Sequence, residues 1–216
     1  PLLFIKLKKN TVDVQDAYTN NYTDYLDSIP HLFYYNAFLI LSNGTEAKVG
    51  TLGSKYEFFH EWKRLSEQEQ GSVALETMLR GICKKENFLD LLENFILFDH
   101  SGGHTAKILA RNHQYLGVNE AIKAYEARKL NNGKLGVFWH TQGSGKSYSM
   151  VFLAQKIRRK FSGSPTIVIL TDRDELNTQI SDTFENCGIL GKAKASQFIA
   201  SSGDDLIDKL KGNPSF

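Results

Sequence analysis

Cysteine is nearly absent from this sequence. Cys83 and Cys187 are the only two in 216 residues, and they stand far apart. They form neither a disulfide framework nor a zinc-ligand spacing, so both are expected as free thiols in a reducing compartment. Long apolar runs are also missing. None approaches the roughly 18 residues that a membrane span needs. The N-terminal stretch does not read as a signal peptide, and a cytoplasmic protein without a membrane partner is expected. There is no internal repeat and no low-complexity tract. The charge balance is slight: 26 Lys/Arg against 24 Asp/Glu give a net charge of +2, which by itself points to no partner. The balance is uneven along the chain, however. Residues 1–98 carry 10 basic and 13 acidic side chains, a net of −3, whereas residues 99–216 carry 16 and 11, a net of +5. The second half can face phosphates, but a surplus this small is weak evidence for nucleic acid.

What is present suffices for a folded chain. Hydrophobic residues make up 41% of the sequence, enough for a packed core in one large domain or two smaller ones. Residues 2–7 read as a buried strand interrupted by Lys6. Residues 13–28 read as a helix, with Tyr18, Tyr22 and Tyr25 at spacings of four and three. Residues 32–42 read as a strand, and Asn43-Gly44 before Lys48–Leu52 is a strong hairpin signal because both residues tolerate positive φ. Residues 55–65 and 73–98 have helical periodicity, with Leu75, Met78, Leu79 and Ile82 on one stripe and Phe88, Leu91, Leu92 and Phe95 on another. Ser101-Gly102-Gly103-His104 then breaks the pattern and predicts a domain boundary. The chain opens within a strand pattern without Met and stops abruptly at Gly212-Asn213-Pro214-Ser215-Phe216, and so reads as a piece of something longer.

Beyond residue 98 the rhythm changes. A helix is expected over residues 115–129, with Tyr115, Val118, Ile122 and Tyr125 on one face. A short buried strand follows at Leu135–Trp139, then a glycine-rich turn, a helix over 147–160, a loop at Ser162–Pro165, a second buried strand at Thr166–Leu170, and a helix from about Asp174. Strand, glycine loop, helix, strand is the opening of an α/β parallel sheet.

The glycine loop carries the chemistry. It reads His140-Thr141-Gln142-Gly143-Ser144-Gly145-Lys146-Ser147. Binding a triphosphate requires several backbone N–H groups pointing into one concavity. Gly143 and Gly145, with Ser144 between them, allow that shape and let phosphate oxygens approach closely. The following helix adds its positive N-terminal end. Lys146 offers a point charge to the β- and γ-phosphates of ATP, and Ser147 a hydroxyl to Mg²⁺. His140 occupies the position of the usual first glycine of such loops. Hydrolysis needs in addition an acidic residue at the end of another strand. Asp172, after Thr166–Leu170, is the one candidate of that form, although the first strand past the P-loop helix is early for that role.

Three segments in order resemble type I restriction endonuclease R subunits, whose motors are superfamily 2 helicase-like. They are Arg111-Asn112-His113-Gln114-Tyr115, Phe138-Trp139-His140 through Ser147, and Leu170-Thr171-Asp172-Arg173-Asp174-Glu175-Leu176-Asn177-Thr178-Gln179. The strand at residues 1–8 and the segment Tyr35–Gly44 match in register as well, so the resemblance covers nearly the whole chain. It implies a fold in which residues 1–98 are the later part of a PD-(D/E)xK-type nuclease domain with connecting helices. Residues 99–216 then open the first RecA-like motor lobe.

The resemblance also implies roles. Gln114 becomes the residue that reads adenine, since an amide both donates and accepts; taken alone it is a surface Gln at a helix start. Thr171, Asp172 and Arg173 become a loop touching the DNA backbone, a reading preferred to Asp172 as a magnesium ligand. In the nuclease strand Ile5-Lys6-Leu7-Lys8, Lys8 keeps the catalytic lysine position, but Lys6 stands where the family has a metal-binding Glu, a change that disables the site. The family's Q-x-x-x-Y element resembles Asn21-Tyr22-Thr23-Asp24-Tyr25, with Asn for Gln. Without the family, Lys6, Lys8 and Lys9 are a basic strand end in solvent. The parent implied is an ATP-dependent, DNA-translocating type I deoxyribonuclease. It acts on double-stranded DNA with modification and specificity subunits, and the fragment alone is expected to be inactive. Two other readings remain open: a P-loop nucleotidase or kinase without a DNA partner, and a nuclease-inactive, ATP-gated DNA-binding scaffold.

Overall fold

The computed structural model describes residues 1–163, 165–191 and 194–211. The chain is mixed α/β, and its backbone divides into two compact units. The first comprises Pro1–Leu97 and Ala106–Glu120; the second comprises residues 98–105 and the chain from Ala121 onward. The expected loop at Ser162–Pro165 falls partly outside the described residues, at Ser164, as does the terminal Gly212–Phe216.

The first unit is built on a three-stranded sheet in the order β1 (Leu3–Leu7), β2 (Phe38–Ser42), β3 (Ala47–Gly50). β1 pairs parallel to β2, with Phe4 opposite Leu39 and Lys6 opposite Leu41. β2 pairs antiparallel to β3 through the expected hairpin, whose Gly44 lies at φ 94°. β2 is buried at every position, as befits a central strand covered on both faces. A helical segment joins β1 to β2. It runs from α1 (Val14–Ala17), started by the Asp13 carboxylate accepting from the Gln15 N–H, through a π-turn at Tyr18–Tyr22 into α2 (Thr23–Ser28). Its inner face packs Val14, Ala17 and Tyr22 on Leu39, Leu41, Phe33 and Phe59. Each of the larger side chains, Val14, Phe33, Leu39 and Leu41, stabilises by about 1.5–3 kcal/mol when fully buried.

Three expectations are corrected here. Only residues 38–42 of the run 32–42 form a strand. Pro30 starts a 3₁₀ turn at Pro30–Phe33, and the chain is still turning when Asn36 donates to the Phe38 carbonyl. Residues 55–65 are not a helix. A single 3₁₀ turn at Tyr56–Phe58 gives way to a chain whose His60 bridges Val49. Phe59 closes over Gly50, while Trp62 packs on Tyr115, so the helix-like spacing of these aromatics serves two different contacts. Finally, residues 73–98 are two helices and a strand: α3 (Leu75–Ile82), α4 (Lys85–Asn94) and β4 (Ile96–Asp99). Within α3 residue 81 must be glycine, because a Cβ there would lie 2.1 Å from the Trp62 indole nitrogen.

β4 and β5 (Ala106–Leu109) form a second, two-stranded sheet. α5 (Asn112–Glu126) follows, burying Tyr115, Val118 and Ile122 as its periodicity predicted. The second unit holds α6 (Lys146–Lys160), α7 (Asp174–Asn186) and α8 (Gly203–Lys211). Among the described residues the expected parallel sheet of this unit is not formed, because neither Leu135–Trp139 nor the run 166–170 pairs as a strand. A parallel strand satisfies its backbone only through neighbours. Without them these runs remain apolar and uncovered: Val137 is 94% exposed, Trp139 78% and Leu170 94%.

Candidate nucleotide-binding site

The glycine loop has the shape its composition calls for. Gly143 sits at φ 76° and Gly145 at φ 80°, ψ 37°, both in the left-handed region that a side chain would strain. Gly145 is the N-cap of α6, so Lys146 and Ser147 begin the helix directly. Val151, Phe152, Ala154 and Ile157 bury the helix's inner face, while Arg158, Arg159 and Lys160 complement its C-terminal end. The ammonium of Lys146 folds back over the loop and donates to the carbonyls of His140, at 3.0 Å, and Thr141, at 2.9 Å. It therefore stands at the mouth of the turn, exposed. The residues fit a triphosphate: two left-handed glycines, a helix N-terminus, one cation on the loop and, one residue on, the Ser147 hydroxyl, a group of the kind that can ligate Mg²⁺.

A contact that the sequence did not signal fixes this helix. The Tyr148 hydroxyl, in the first turn of α6, donates to the buried carboxylate of Asp99, whose other oxygen accepts from the Ser101 N–H at 2.8 Å. These bonds hold the Asp99 carboxyl below its usual range against the opposing effect of burial. Burial, and then the Asp99 charge, raise the Tyr148 phenol and push the Cys187 thiol up to about 12. Both cysteines are free, as expected.

Gln114 lies in the first unit and is buried, not a surface residue. It is the third residue of α5, and its Oε1 accepts from the Arg111 N–H at 2.8 Å, the reciprocal half of a capping box.

Asp172 and Arg173 are exposed and 3.7 Å apart, and the Arg173 carbonyl accepts from Asn177 as the N-cap of α7. With Thr171 they line one end of a groove of about 410 Å³ whose floor includes Ile180, Phe184 and Phe198.

In the first unit, alternation along β1 places Phe4, Lys6 and Lys8 on the face covered by the helical segment. Lys6 Nζ donates to the Tyr25 hydroxyl at 3.3 Å and lies 5.3 Å from that ring's centroid, and Phe4 meets the same ring edge-on. Lys8 pairs with Asp16 at 2.8 Å, which holds that carboxyl below its usual value. The structure thus joins the strand to the end of the Asn21–Tyr25 element. It also adds Asp16, an acidic neighbour of Lys8 that the sequence pattern did not mark. Among the described residues, no group of three or more His, Cys, Asp or Glu side chains is placed to hold a metal ion.

Two family models match the chain, in the order the site implies. Residues 1–58 match the type I restriction enzyme R protein N terminus, and residues 113–216 match the SWI2/SNF2 ATPase. Among curated proteins, the type I restriction enzyme HindI endonuclease subunit of Haemophilus influenzae is 37% identical over 198 residues, covering 86% of this chain and 19% of that protein. The putative type I restriction enzyme MjaIXP endonuclease subunit of Methanocaldococcus jannaschii is 29% identical over 232 residues, covering 96% and 21%. The SauCOLORF180P endonuclease subunit of Staphylococcus aureus is 23% identical over 85% of this chain. The chain therefore spans about a fifth of the length of such relatives.

Proposed function

We infer the function of this chain from its place among the R subunits of type I restriction endonucleases, with their superfamily 2 helicase-like motor. It is a segment of the subunit that hydrolyses ATP to translocate double-stranded DNA within a complex with modification and specificity subunits. The observation that carries this reading is the Gly143–Ser147 loop with its exposed Lys146, lying downstream of a segment that matches the R protein N terminus. Residues 1–98 are the later part of the PD-(D/E)xK nuclease domain, and residues 99–216 the opening of the first RecA-like lobe. ATP is the substrate, Lys146 meets its β- and γ-phosphates, and the Ser147 hydroxyl holds Mg²⁺. Gln114 reads the adenine. Thr171, Asp172 and Arg173 touch the DNA backbone. A nuclease-inactive variant of the same machine is favoured by one feature: the metal-ligand position of the nuclease strand holds Lys6, already bonded to Tyr25.

The adenine assignment is tested by Gln114→Ala in the whole parent protein. Losing one bidentate base contact costs roughly 1–3 kcal/mol, about 5- to 150-fold in affinity. ATP binding is expected to weaken by that factor and GTP binding much less. Equal losses for both nucleotides would reduce Gln114 to the helix cap it forms with Arg111.

The DNA-contact assignment is tested on residues 1–216 alone. This fragment is expected to show no Mg²⁺-dependent ATP turnover, because Asp172 touches DNA and does not ligate the metal. Robust hydrolysis that disappears on Asp172→Asn would give Asp172 the magnesium role instead.

A further inference from the structure

We propose that Asp99 is a positioning residue for the nucleotide loop: through the Tyr148 hydroxyl it sets the rotation of the first turn of α6, and with it the direction in which Lys146 and Ser147 point. The proposal rests on the reading of Gly143–Ser147 as a P-loop and extends it to a residue outside that motif. Asp99 ends β4, far upstream of the loop in sequence, and lies with it in the second unit.

The first turn of α6 needs such a tie. Apolar burial in this helix begins at Val151; in the turn before it the Ser149 hydroxyl reaches back to the Gly145 carbonyl, at 3.4 Å. The loop ahead of the helix is built on two left-handed glycines, and the Lys146 ammonium spends two of its three protons on the carbonyls of His140 and Thr141. Turning those protons to a phosphate releases both carbonyls, so the loop's hold on itself is weakest when nucleotide is bound. The Tyr148 hydroxyl is not spent in this way. It leaves the helix and reaches Asp99, a residue only 6% exposed. Successive residues stand ~100° apart around a helix of 3.6 residues per turn, so fixing Tyr148 fixes Ser147 and Lys146 with it.

The corner that carries Asp99 is itself held. The other oxygen of the carboxylate accepts from the Ser101 N–H at 2.8 Å. The His100 N–H donates to the Asn186 carbonyl at the end of α7, at 3.2 Å, and the His100 ring lies 3.0 Å from the Thr105 hydroxyl. α7 in turn packs against α6, and Arg158 of α6 donates to the Ile189 carbonyl just past α7, at 3.1 Å. The choice of residues points the same way. A buried carboxylate costs free energy, and neither of these two bonds comes from a cation. An apolar contact would join β4 to α6 at lower cost. What the phenol–carboxylate bond adds is a fixed distance and direction.

The test is made on the whole parent protein with its modification and specificity subunits, by measuring ATP turnover in the presence of duplex DNA bearing the recognition site. Tyr148→Phe deletes one oxygen and keeps the ring. Misplacing reacting groups by ~1 Å costs up to about 100-fold in rate, so kcat is expected to fall about tenfold or more. Asp99→Ala should reproduce the loss, and Asp99→Asn, whose amide oxygen still accepts from the phenol, should restore part of the rate. The double variant Tyr148→Phe/Asp99→Ala should lose no more than the larger single loss. Rates are normalised to the folded fraction from circular dichroism, so a loss of fold is not read as a loss of rate. A contact that merely braces the fold lowers the unfolding midpoint and leaves kcat per folded molecule unchanged; that result overturns the proposal, as does an additive loss in the double variant. Lys146→Ala is run beside them. Turnover unchanged in Lys146→Ala removes the P-loop reading and this proposal with it, whereas turnover lost there and kept in Tyr148→Phe removes the positioning role alone.

Discussion

In the whole parent protein, Lys146→Ala is expected to abolish ATP-dependent activity while leaving the fold intact. The side chain is exposed, and its two bonds go to backbone carbonyls of its own loop, His140 and Thr141, so no core contact is lost with it. On the proposed reading, what is lost is the cation that the loop presents to the phosphates. Each charge-assisted hydrogen bond is worth about 1.5–3 kcal/mol; with Lys146 serving two phosphoryl groups, as proposed, nucleotide affinity should fall by roughly 100-fold or more. An unaltered circular dichroism spectrum together with that loss isolates the effect to the site. Unchanged ATP turnover in the variant would remove the P-loop assignment altogether.

The second large effect is expected at Lys6. A magnesium site built from carboxylates needs anionic oxygen ligands, and an ammonium offers no lone pair. Here the ammonium is also held in place, bonded to the Tyr25 hydroxyl and resting against its ring, while Lys8 is drawn to Asp16. A parent protein carrying Lys6 should therefore translocate DNA without cutting it. On the proposed nuclease reading, Lys6→Glu supplies the metal-binding carboxylate two residues before Lys8 and leaves the motor untouched. A bound metal contributes several kcal/mol of transition-state stabilisation, so cleavage should recover by roughly 100-fold or more. Circular DNA bearing the recognition site is scored for linear product, with ATP turnover followed in parallel and expected to stay nearly constant. Efficient cutting by the Lys6 protein would show that the metal site lies elsewhere and that this strand is misaligned with the family.

The sequence was most informative where a local pattern decides a local structure. The Gly143–Ser147 loop, α6 and α7 formed where expected, since left-handed glycines, helix starts and apolar stripes are short-range signals. β1 and the Asn43-Gly44 hairpin were legible for the same reason. What stayed hidden depends on residues distant in the chain. The Lys6–Tyr25 and Lys8–Asp16 pairs exist because a parallel strand pairing brings β1 under the helical segment, which no spacing in the strand announces. Asp99 meets Tyr148 across 49 residues, and the buried Gln114 reads as a surface residue until its cap on Arg111 is seen. The aromatics of residues 55–65 were misleading because tertiary contacts overrode their helical spacing: Phe59 went to Gly50 and Trp62 to Tyr115. Leu135–Trp139 and the run 166–170 have strand composition, but a ladder is a property of neighbours, not of one segment.

The measurement that bears most directly on the motor assignment is ATP turnover by the whole parent protein, assembled with its modification and specificity subunits, with and without duplex DNA carrying the recognition site. The expected result is hydrolysis that the duplex strongly stimulates and that Lys146→Ala eliminates. Hydrolysis that proceeds equally without DNA would contradict the motor and leave a nucleotidase in its place.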